Sequence, residues 1–489
     1  MATRPEAVAT GVWWQGLLEG LGESHMDPVA YDTAWVARLL ATGAGVEDGA
    51  AEAWDWLLGH QHGDGSWGAQ TFVLPDRLAA TAAALVALSD VGRTGMRPPC
   101  PEACAAAIRF LRVHLPRLAE TSPSVETVGF ELCLPPLLDE ARALGVDLPD
   151  PPEALLRRRR EKLARLPAGW RLNPPPSLLH SLEGWAGQDL PRSLLGPTGA
   201  CGNSPSATAC HERLHPQSAA RAYLRAARSG GGVRDVYPFE VFELAWVLDH
   251  LALAGVSLRT PSLQPYVSRL RAAWRDGAGV GIAAEGLEPD ADDTALTALG
   301  LARAGRAVAL DPLRAFERTE GFACFPFERN PSVSANIHVG YVFVHLSGAR
   351  AVAGLGKVLA FLADRLSPDG YWTDKWHVSP YYPTARAVVA LHRVAPTLLA
   401  RPLNWLRASQ HADGSWGVGG GSPEETAYAV QALCAVGPPD ARVLARAAGY
   451  LRACPARPAL WIGKGLYCPR RVVDAAILSA RALVGGWSR

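Results

Sequence analysis

The chain has 489 residues, of which 48% are hydrophobic and 19% are charged, so it is long enough for two or three domains with large apolar cores. Its 48 basic and 47 acidic residues leave a net charge of +1. This balance provides no long-range field for gathering nucleic acid, so any bound anion must be held by local groups. No apolar run is long enough to cross a bilayer, and the sequence therefore predicts no transmembrane segment.

The nine cysteines are scattered and include no CxxC pair. They predict reduced thiols in a cytoplasmic protein. The first residues lack a basic segment followed by an apolar run, so no signal peptide is predicted. One basic cluster, Arg157–Arg160 with Lys162 and Arg165, is interpreted as a solvated helix face rather than a binding patch.

Most of the sequence has the pattern of amphipathic helices rich in Ala, Leu, Val and Arg, separated by turns containing Gly and Pro. In chain order, the apolar spacing predicts helices at Asp76–Leu88, Pro101–His114, Gln217–Arg228, Asp292–Arg303, Glu424–Val436 and Val472–Val484. Alternating patterns typical of strands are rare. The predicted fold class is therefore all-α.

One short motif occurs twice. Gln61–Gly68 reads QHGDGSWG and Gln410–Gly417 reads QHADGSWG, and each precedes a predicted helix. Asp-Gly favours a tight turn, and the indole can fill the space between neighbouring helices. The repeat indicates two related helical units held by structural staples, and we assign it no chemistry of its own.

The strongest chemical signal is Pro289–Thr294, which reads PDADDT and precedes the apolar helix Ala295–Arg303. A helix N-terminus favours carboxylate anions, whereas burial and like-charge crowding favour the neutral acids. In a dry site at least one of these carboxyls should therefore keep its proton. Asp290 and Asp293 share a helix face while Asp292 projects differently, which favours Asp292 as the donor that protonates a weakly basic alkene.

Two other interpretations of this motif remain open from the residues alone. The first is an acidic cap at a helix N-terminus, which is common and needs no function. The second is a metal-binding DDxxD motif. Against it, Asp292-Asp293 is followed by Thr-Ala-Leu, so the distal acid is missing, and no DDxxD occurs elsewhere in the sequence.

A series of motifs along most of the chain resembles the class II diterpene cyclases, the family of copalyl diphosphate synthases, in which the acid motif is written DxDD. Besides that motif and the DGSWG repeat, the matching segments are Tyr31–Ala37 (YDTAWVA), Val128–Glu131 (VGFE), Leu137–Pro149 (LLDEARALGVDLP), Leu178–Gly184 (LLHSLEG), Ser204–Ala209 (SPSATA), Gly231–Glu243 (GGVRDVYPFEVFE), Gly321–Asn330 (GFACFPFERN), Asp374–Trp376 (DKW) and Trp461–Tyr467 (WIGKGLY). One such match would be weak, whereas this many in family order are specific.

The resemblance implies two (α/α) barrels, named β and γ, with the active site between them. Stretches rich in Pro and Gly, typical of linkers, occur at Leu172–Pro176, Gly196–Ser206 and Ser229–Val233. We therefore predict that residues 1–45 form the N-terminal part of the β domain and 46–233 an inserted γ domain. Residues 234–489 then form the remainder of the β domain, which carries the DxDD motif.

The resemblance also implies roles for single residues. Asp292 aligns with the general acid of the family, and Asp290 and Asp293 align with its supporting carboxylates. His180 matches a histidine that in many plant enzymes helps to hold the water accepting the final proton. Asp235 stands where the plant ent-copalyl enzymes place an asparagine as partner of that histidine, so the terminating step is expected to differ here.

The substrate-binding residues are assigned on the same basis. Lys375 and Lys464 lie in family segments linked to the diphosphate end of the substrate, and lysine is a suitable phosphate contact. Mg2+ is expected to bridge the diphosphate to acidic side chains, with Glu131 as the candidate ligand. Trp376 and Tyr382 are candidates for stabilising a carbocation, an interaction worth about 2 kcal/mol when desolvated, although helix packing is the simpler explanation for most aromatic residues.

The predicted function is that of an isomerase, a class II terpene cyclase. It would protonate geranylgeranyl diphosphate, close two rings and release a copalyl-type diphosphate for a class I terpene synthase or a phosphatase. One alternative is the same chemistry on farnesyl diphosphate, giving drimenyl diphosphate. Others are a squalene-type cyclase, which needs no diphosphate anchors, and a non-catalytic α-toroid that acts as a binding scaffold, against which the intact acid triad argues.

Overall fold

The computed structural model describes residues 13–43, 49–120, 126–166, 168–187, 190–326, 328, 330–346, 349–453 and 457–487. Helices dominate, and their buried side chains form two apolar clusters. One cluster draws on residues 30–233, and the other on residues 14–29 and 236–484. No helix within the described ranges is both long and apolar enough to cross a membrane.

The first cluster is the core of a ring of helices, which we name the γ barrel. Its helices are α1 (Ala30–Ala37), α2 (Ala50–Gly59), α3 (Leu74–Thr94), α4 (Pro101–His114), α5 (Arg117–Glu120), α6 (Phe130–Ala143), α7 (Glu153–Ala164), α8 (Pro176–Leu179), α9 (Pro205–Leu214) and α10 (Ser218–Ala226). Helices α1, α3, α6 and α9 pack in sequence around the core, and a 3-10 turn at Leu182–Gly184 lies between α6 and α9. Contact of α9 with α1 closes the ring. A short antiparallel hairpin follows, β1 (Arg228–Ser229) and β2 (Gly232–Val233).

The second cluster is the core of the β barrel. Its helices are α11 (Glu240–Leu253), α12 (Gln264–Ala273), α13 (Ala291–Arg303), α14 (Val333–His345), α15 (Ala349–Arg365), α16 (Tyr381–Leu391), α17 (Pro396–Ala408), α18 (Pro423–Val436), α19 (Ala441–Ala453) and α20 (Arg470–Trp487). Helices α11, α13, α14, α16, α18 and α20 form a closed inner ring, because α20 packs back on α11. The hairpin β3 (Trp461–Ile462) and β4 (Leu466–Tyr467) precedes the last helix.

The sequence pattern decides which helices lie inside. Every residue of α16 is buried and most are apolar, as an inner helix requires, while the one charged residue, Arg386, is paired with Asp249. Outer helices such as α17 bury one stripe only, with Leu399, Pro402 and Leu406 inward. The predicted all-α fold class is therefore confirmed.

All six helices predicted from apolar spacing occur. Pro101–His114 has the predicted bounds as α4, and the other five match α3, α10, α13, α18 and α20 to within several residues. The differences lie at the helix ends, where capping residues rather than apolar spacing set the boundary.

The division into segments 1–45, 46–233 and 234–489 stays a prediction, and its first boundary lies in residues 44–48, outside the described part of the chain. The packing nevertheless differs from it at one point. Helix α1, placed by that division with the β barrel, contributes its buried face to the γ cluster. All eight residues of α1 are buried, so it needs neighbours on every side, and α2, α3 and α9 provide them.

The repeated motif is a structural staple in both barrels. The indole N–H of Trp67 donates to the Leu57 carbonyl at 2.8 Å, and that of Trp416 donates to the Leu406 carbonyl at 2.7 Å. A third tryptophan, Trp372, makes the same kind of bond, so the pattern extends beyond the two copies that the sequence displays.

Candidate active site

A cavity lies between the two barrels and is lined by residues of both. The predicted site residues on its wall are His180, Asp235, Asp290, Asp292, Asp293 and Trp376. Most of the remaining wall is apolar or aromatic and includes Phe242, Trp246 and Trp461. One cavity therefore brings together the acid motif, the residues assigned to the terminating step and a set of aromatic rings.

The acid motif is the beginning of α13. Asp290 is the N-cap, with extended backbone, and its Oδ1 accepts the N–H of Asp293 at 2.8 Å. One turn into the helix, the Thr294 hydroxyl donates to the Val280 carbonyl at 2.9 Å and accepts the N–H of the same residue at 3.0 Å. Capping thus orients Asp290 along the helix start and leaves Asp292 to point elsewhere, as the sequence predicts.

Asp292 has a dedicated partner that the sequence analysis missed. Its Oδ1 lies 2.5 Å from Nδ1 of His338, a buried histidine on α14. Nε2 of the same ring accepts the Nε–H of Arg386 at 3.2 Å, and an arginine can only donate. The ring proton is therefore on Nδ1, which makes His338 a donor to Asp292. This bond occupies Oδ1 of Asp292 and leaves Oδ2 as its other carboxyl oxygen.

A buried ion pair holds this arrangement. Nη2 of Arg386 lies 2.6 Å from Oδ2 of Asp249, and Nη1 of Arg303 donates to Oδ1 of Asp249 at 2.5 Å. Burial alone would raise the pKa of Asp249, but the two guanidinium groups hold it well below its ordinary value. A permanent charge pair therefore fixes Arg386 and, through it, the tautomer of His338.

The other two acids of the motif, Asp290 and Asp293, both have raised pKa values. Burial raises the pKa of Asp290 to about 7, and burial together with the neighbouring Asp290 carboxyl raises the pKa of Asp293 well above its ordinary value. This agrees with the expectation that a dry acid triad retains protons. A neutral Asp293 adds no negative charge beside Asp292, so ionisation of Asp292 is not opposed from that side.

His180 lies on the same cavity at the end of α8. Its Nδ1 donates to the Gly202 carbonyl at 2.8 Å, so Nε2 is the acceptor nitrogen. Burial and the nearby Lys464 ammonium lower the pKa of His180 to about 3, and the ring is therefore neutral. Ser177, three residues earlier, also lines the cavity, and its buried Oγ has no hydrogen-bond partner among the described residues.

Asp235 lines the cavity and also supports the backbone of hairpin β3–β4. Its Oδ1 accepts the N–H of Gly465 at 2.9 Å, and a side chain at Gly463 would collide with its Oδ2. Burial raises the pKa of Asp235 to about 6. The structure thus places Asp235 and His180 on one cavity, without a direct hydrogen bond between them in the described residues.

Lys464, predicted as a diphosphate contact, is almost completely buried. Its Nζ lies 2.6 Å from Oε1 of Glu183 and 2.5 Å from the hydroxyls of Ser204 and Ser206. All three ammonium protons therefore have protein partners. This geometry makes Lys464 a tie between hairpin β3–β4 and the γ barrel, and its contact with diphosphate stays a prediction.

Lys375 is nearer to the acid end than its predicted role suggests. Its ammonium forms an ion pair with Glu328 and lies 4.8 Å from the ring centre of Trp376. Burial lowers the pKa of Lys375 to about 8, and the carboxyl of Asp292 is close enough to oppose that shift. The side chain is 30% exposed, so it remains accessible to an anionic group.

The two predicted aromatic contacts differ. Trp376 lines the cavity, and its buried indole N–H has no partner among the described residues. Tyr382 lies one layer behind the wall, where its hydroxyl accepts the indole N–H of Trp246 at 2.9 Å and its ring lies 4.8 Å from that of Trp461. The geometry therefore gives Tyr382 a supporting position behind Trp246 and Trp461, which both line the cavity.

The predicted metal ligand lies close to a second carboxylate. Glu131 pairs with Lys162 at 2.5 Å and Glu126 pairs with Arg158 at 2.7 Å, so two members of the basic cluster turn toward these acids. Burial, and then the Glu131 charge, raise the pKa of Glu126. No cluster of three or more potential ligands occurs in the described residues. Mg2+ at a diphosphate needs only one or two carboxylates beside phosphate oxygens and water, so this pair fits such an ion.

The residues that sequence reasoning missed are the partners, above all His338 and Arg386. A histidine within an apolar helix is usually a packed core residue, and its contact with Asp292 spans 46 positions. No local spacing reports such a contact.

Comparisons with known proteins agree with this geometry. Residues 330–465 match the family model described as the squalene-hopene cyclase C-terminal domain. The chain is 41% identical to an uncharacterized protein of Sinorhizobium fredii over 94% of this chain and 92% of that protein. It is 34% identical to a type B diterpene cyclase of Mycobacterium tuberculosis over 93% of this chain and 95% of that protein. The structure of an ent-copalyl diphosphate synthase from Streptomyces platensis matches with a TM-score of 0.81 at 32% identity, covering 96% of this chain and 98% of that chain.

The likeness to the Streptomyces platensis structure covers 96% of this chain and therefore extends over both barrels. The chain belongs to the class II diterpene cyclases, the family of the copalyl diphosphate synthases.

Proposed function

We propose that this protein cyclises geranylgeranyl diphosphate to a copalyl-type diphosphate and leaves the diphosphate in place. The observation that carries the proposal is the environment of Asp292, a carboxyl on a largely apolar and aromatic cavity with one oxygen held by the buried His338. The names of similar proteins, a copalyl diphosphate synthase among them, support the substrate class.

In the first step, Oδ2 of Asp292 transfers its proton to the terminal alkene, and a tertiary carbocation forms. The π electrons of the next two alkenes then make two carbon–carbon bonds, so the positive charge moves into a decalin ring. Asp292 is left as a carboxylate whose Oδ1 accepts the Nδ1–H of His338. A hydrogen bond to an ion is worth about 1.5–3 kcal/mol, so this donor favours the ionised product of the transfer.

In the last step, a proton leaves a carbon beside the cation, and its C–H electron pair forms the product alkene. The neutral His180 offers Nε2 as an acceptor, directly or through a water, because Nδ1 is bonded to Gly202. Asp235 is the second group suited to this role. Termination by a neutral base is consistent with the low pKa of His180, since a protonated ring would repel the cation.

The diphosphate requires positive charge at the opposite end of the substrate. Lys375 is partly exposed but lies near the acid end and is paired with Glu328, and Lys464 is paired with Glu183. Each lysine would have to leave its carboxylate partner before it contacts phosphate. Glu131, with Glu126 beside it, would hold Mg2+, which neutralises diphosphate charge when bound. Because the chain contains no DDxxD motif, we propose that the diphosphate is not ionised and that a class I terpene synthase or a phosphatase uses the product.

The test is an incubation of the purified protein and Asp292→Asn with Mg2+ and either geranylgeranyl or farnesyl diphosphate. The products are dephosphorylated and identified by mass spectrometry. A bicyclic C20 alcohol that is absent from the variant supports the proposal. A bicyclic C15 alcohol would show that the substrate is farnesyl diphosphate and that the mechanism is unchanged. Stoichiometric release of diphosphate would overturn the claim that the diphosphate is retained.

A further inference from the structure

Helix α18 begins in the same way as α13, although no cyclase chemistry has been assigned to it above. Ser422 is its N-cap and accepts the N–H of Glu425 at 3.1 Å, and the Thr426 hydroxyl accepts a backbone N–H of the preceding loop at 3.0 Å. The second residue after the cap is Asp292 in α13 and Glu424 in α18. The inner ring of the β barrel therefore presents a second acid at the position that the proton donor occupies.

Glu424 is completely buried and surrounded by donors. Its Oε1 accepts the indole N–H of Trp461 at 2.8 Å, the hydroxyl proton of Tyr428 at 2.9 Å and the Nε2–H of His377 at 3.2 Å. The tautomer of His377 follows from the N–H of Ser379, which donates to its Nδ1 at 3.1 Å. Three donors on one oxygen are the surroundings of a carboxylate rather than of a neutral acid.

This carboxylate has no cation of its own. Within the described residues no lysine or arginine forms an ion pair with it. Its ionisable partners are Tyr428, whose pKa burial raises well above its ordinary value, and His377, whose Nδ1 accepts the N–H of Ser379. Its second oxygen, Oε2, is buried and has no hydrogen-bond partner there. An uncompensated buried charge is costly, and a fold that retains one gains from it where positive charge later forms nearby.

Trp461 connects Glu424 to the cavity. Its ring lines the cavity wall beside Phe242, at 5.2 Å between ring centres, and Trp246 completes this wall next to His338 at 5.4 Å. Donation of the indole N–H to a carboxylate places negative charge behind the ring. The face toward the cavity then attracts a cation more strongly than an isolated indole would.

We propose that Glu424 is a positioning residue of the cyclisation, whose carboxylate acts through Trp461 to stabilise positive charge as the ring cations form. The inference rests on the proposed function. It assigns Glu424 an effect on the transition states and none on binding of the neutral hydrocarbon chain, so kcat and the products should respond while KM does not.

The decisive variant is Glu424→Gln, which keeps the shape and the accepting oxygen and removes the charge. We expect kcat to fall roughly 10- to 30-fold, KM to stay within about twofold of the wild-type value, and incompletely cyclised or water-quenched products to increase. The matched control is Glu425→Gln on the same turn, because Glu425 is also buried but bonds Ser379 and Ser422 on the far side of the wall. Its kcat per folded molecule should stay within about twofold of wild type.

A double-mutant cycle with Trp461→Phe tests the connection, since this variant keeps a ring but loses the N–H. The two substitutions should be strongly non-additive if Glu424 acts through the indole. A Glu424→Gln variant with wild-type kcat and products would overturn the inference, because a structural acceptor or a neutral acid is replaced by an amide without loss.

A binding measurement separates this inference from the proposed function. The probe is an amine analogue of a prenyl diphosphate, whose ammonium group stands in for the cation, titrated by calorimetry without turnover. Glu424→Gln should weaken this analogue about tenfold and leave the affinity for the neutral-chain diphosphate unchanged. Equal weakening of both ligands, or of neither, contradicts the role of Glu424. Wild-type protein that binds the analogue but converts no prenyl diphosphate contradicts the proposed function alone.

Discussion

The beginnings of α13 and α18 have the same backbone frame and carry different chemistry. In each, a polar N-cap accepts an N–H three residues on, a threonine is bonded to the preceding loop, and an acid follows the cap by two positions. Asp292 opens on the cavity and has one donor on one oxygen, whereas Glu424 is closed off behind Trp461 with three donors on one oxygen. The shared capping geometry fixes the position of the acid in each helix, and the surrounding hydrogen-bond donors determine whether the acid is open to the cavity or enclosed.

The difference follows from what each task requires. In the proposed mechanism, proton transfer needs a carboxyl oxygen that faces the substrate, and Asp292 lines the cavity with only its Oδ1 bonded to His338. Electrostatic stabilisation needs a fixed charge that does not reach the cation and react with it, so Glu424 lies one layer behind the aromatic wall. A repeat that positions acids can thus provide both a reactive and a protected carboxylate.

The largest loss of turnover should come from replacing the carboxyl of Asp292, at the start of α13, with an amide. Asp292→Asn keeps the shape but has no acidic proton, so turnover should fall by at least about 1000-fold. The corresponding change at Glu424 should cost far less. Steady-state assays with a thermal melt measure both, and a residual rate for Asp292→Asn above that of Glu424→Gln would reverse the assignment of roles.

A smaller effect is expected when the donor of Asp292 is removed. His338→Phe keeps most of the volume but leaves Oδ1 of Asp292 without its hydrogen bond, so kcat should fall roughly 10- to 100-fold. His338→Gln can still donate through its amide and should recover part of the rate. Two variants with the same rate would show that His338 contributes packing alone.

The capping residues give a pH test that contrasts the two helices. Burial raises the pKa of Asp290 to about 7 from an ordinary value of 3.8, so between these pH values the folded protein holds a proton that the unfolded chain has lost. Its contribution to stability is complete at low pH and is lost as the pH rises toward 7. Asp290→Asn should therefore gain roughly 2–4 kcal/mol in unfolding free energy relative to wild type between pH 4 and pH 8.

Ser422 occupies the corresponding cap of α18 and does not titrate in this range. Ser422→Asn is the matched control, and its difference from wild type should not change with pH. Chemical denaturation at several pH values provides the measurement. A constant difference for Asp290→Asn as well would mean that Asp290 is ionised in the folded protein.

The fold was largely predictable because its signals are local. Apolar spacing located α4 with its observed bounds, and the two DGSWG copies indicated related helical units. The third staple at Trp372 was missed because its turn has a different sequence. Helix α1, predicted as part of the β domain, packs into the γ cluster, and a fully buried helix carries no sequence sign of which neighbours surround it.

The site was predictable where one segment carries it. The acids Asp290, Asp292 and Asp293 come from one segment and lie together on the cavity. His180 and Asp235 line the same cavity from two other segments, and it was the family resemblance that indicated them. The contacts between segments were not predictable, since His338 meets Asp292 and Glu183 meets Lys464 only through the tertiary fold. The sequence around a lysine such as Lys464 does not show whether its side chain contacts a substrate phosphate or a glutamate within the protein.

The smallest effect on activity should come from the staples that build the frame. Trp67→Phe and Trp416→Phe each lose one buried indole N–H bond, to Leu57 and Leu406 respectively, and each should destabilise its barrel by roughly 1–3 kcal/mol. Because the bonds match in partner and length, the two losses should agree to within about 0.5 kcal/mol. The products of the folded enzyme should not change in either variant, as judged by calorimetric melting and product analysis. If Trp416→Phe changed the products while Trp67→Phe did not, the Trp416 hydrogen bond would help to position Glu424. The bond that stabilises the start of α18 would then also affect catalysis.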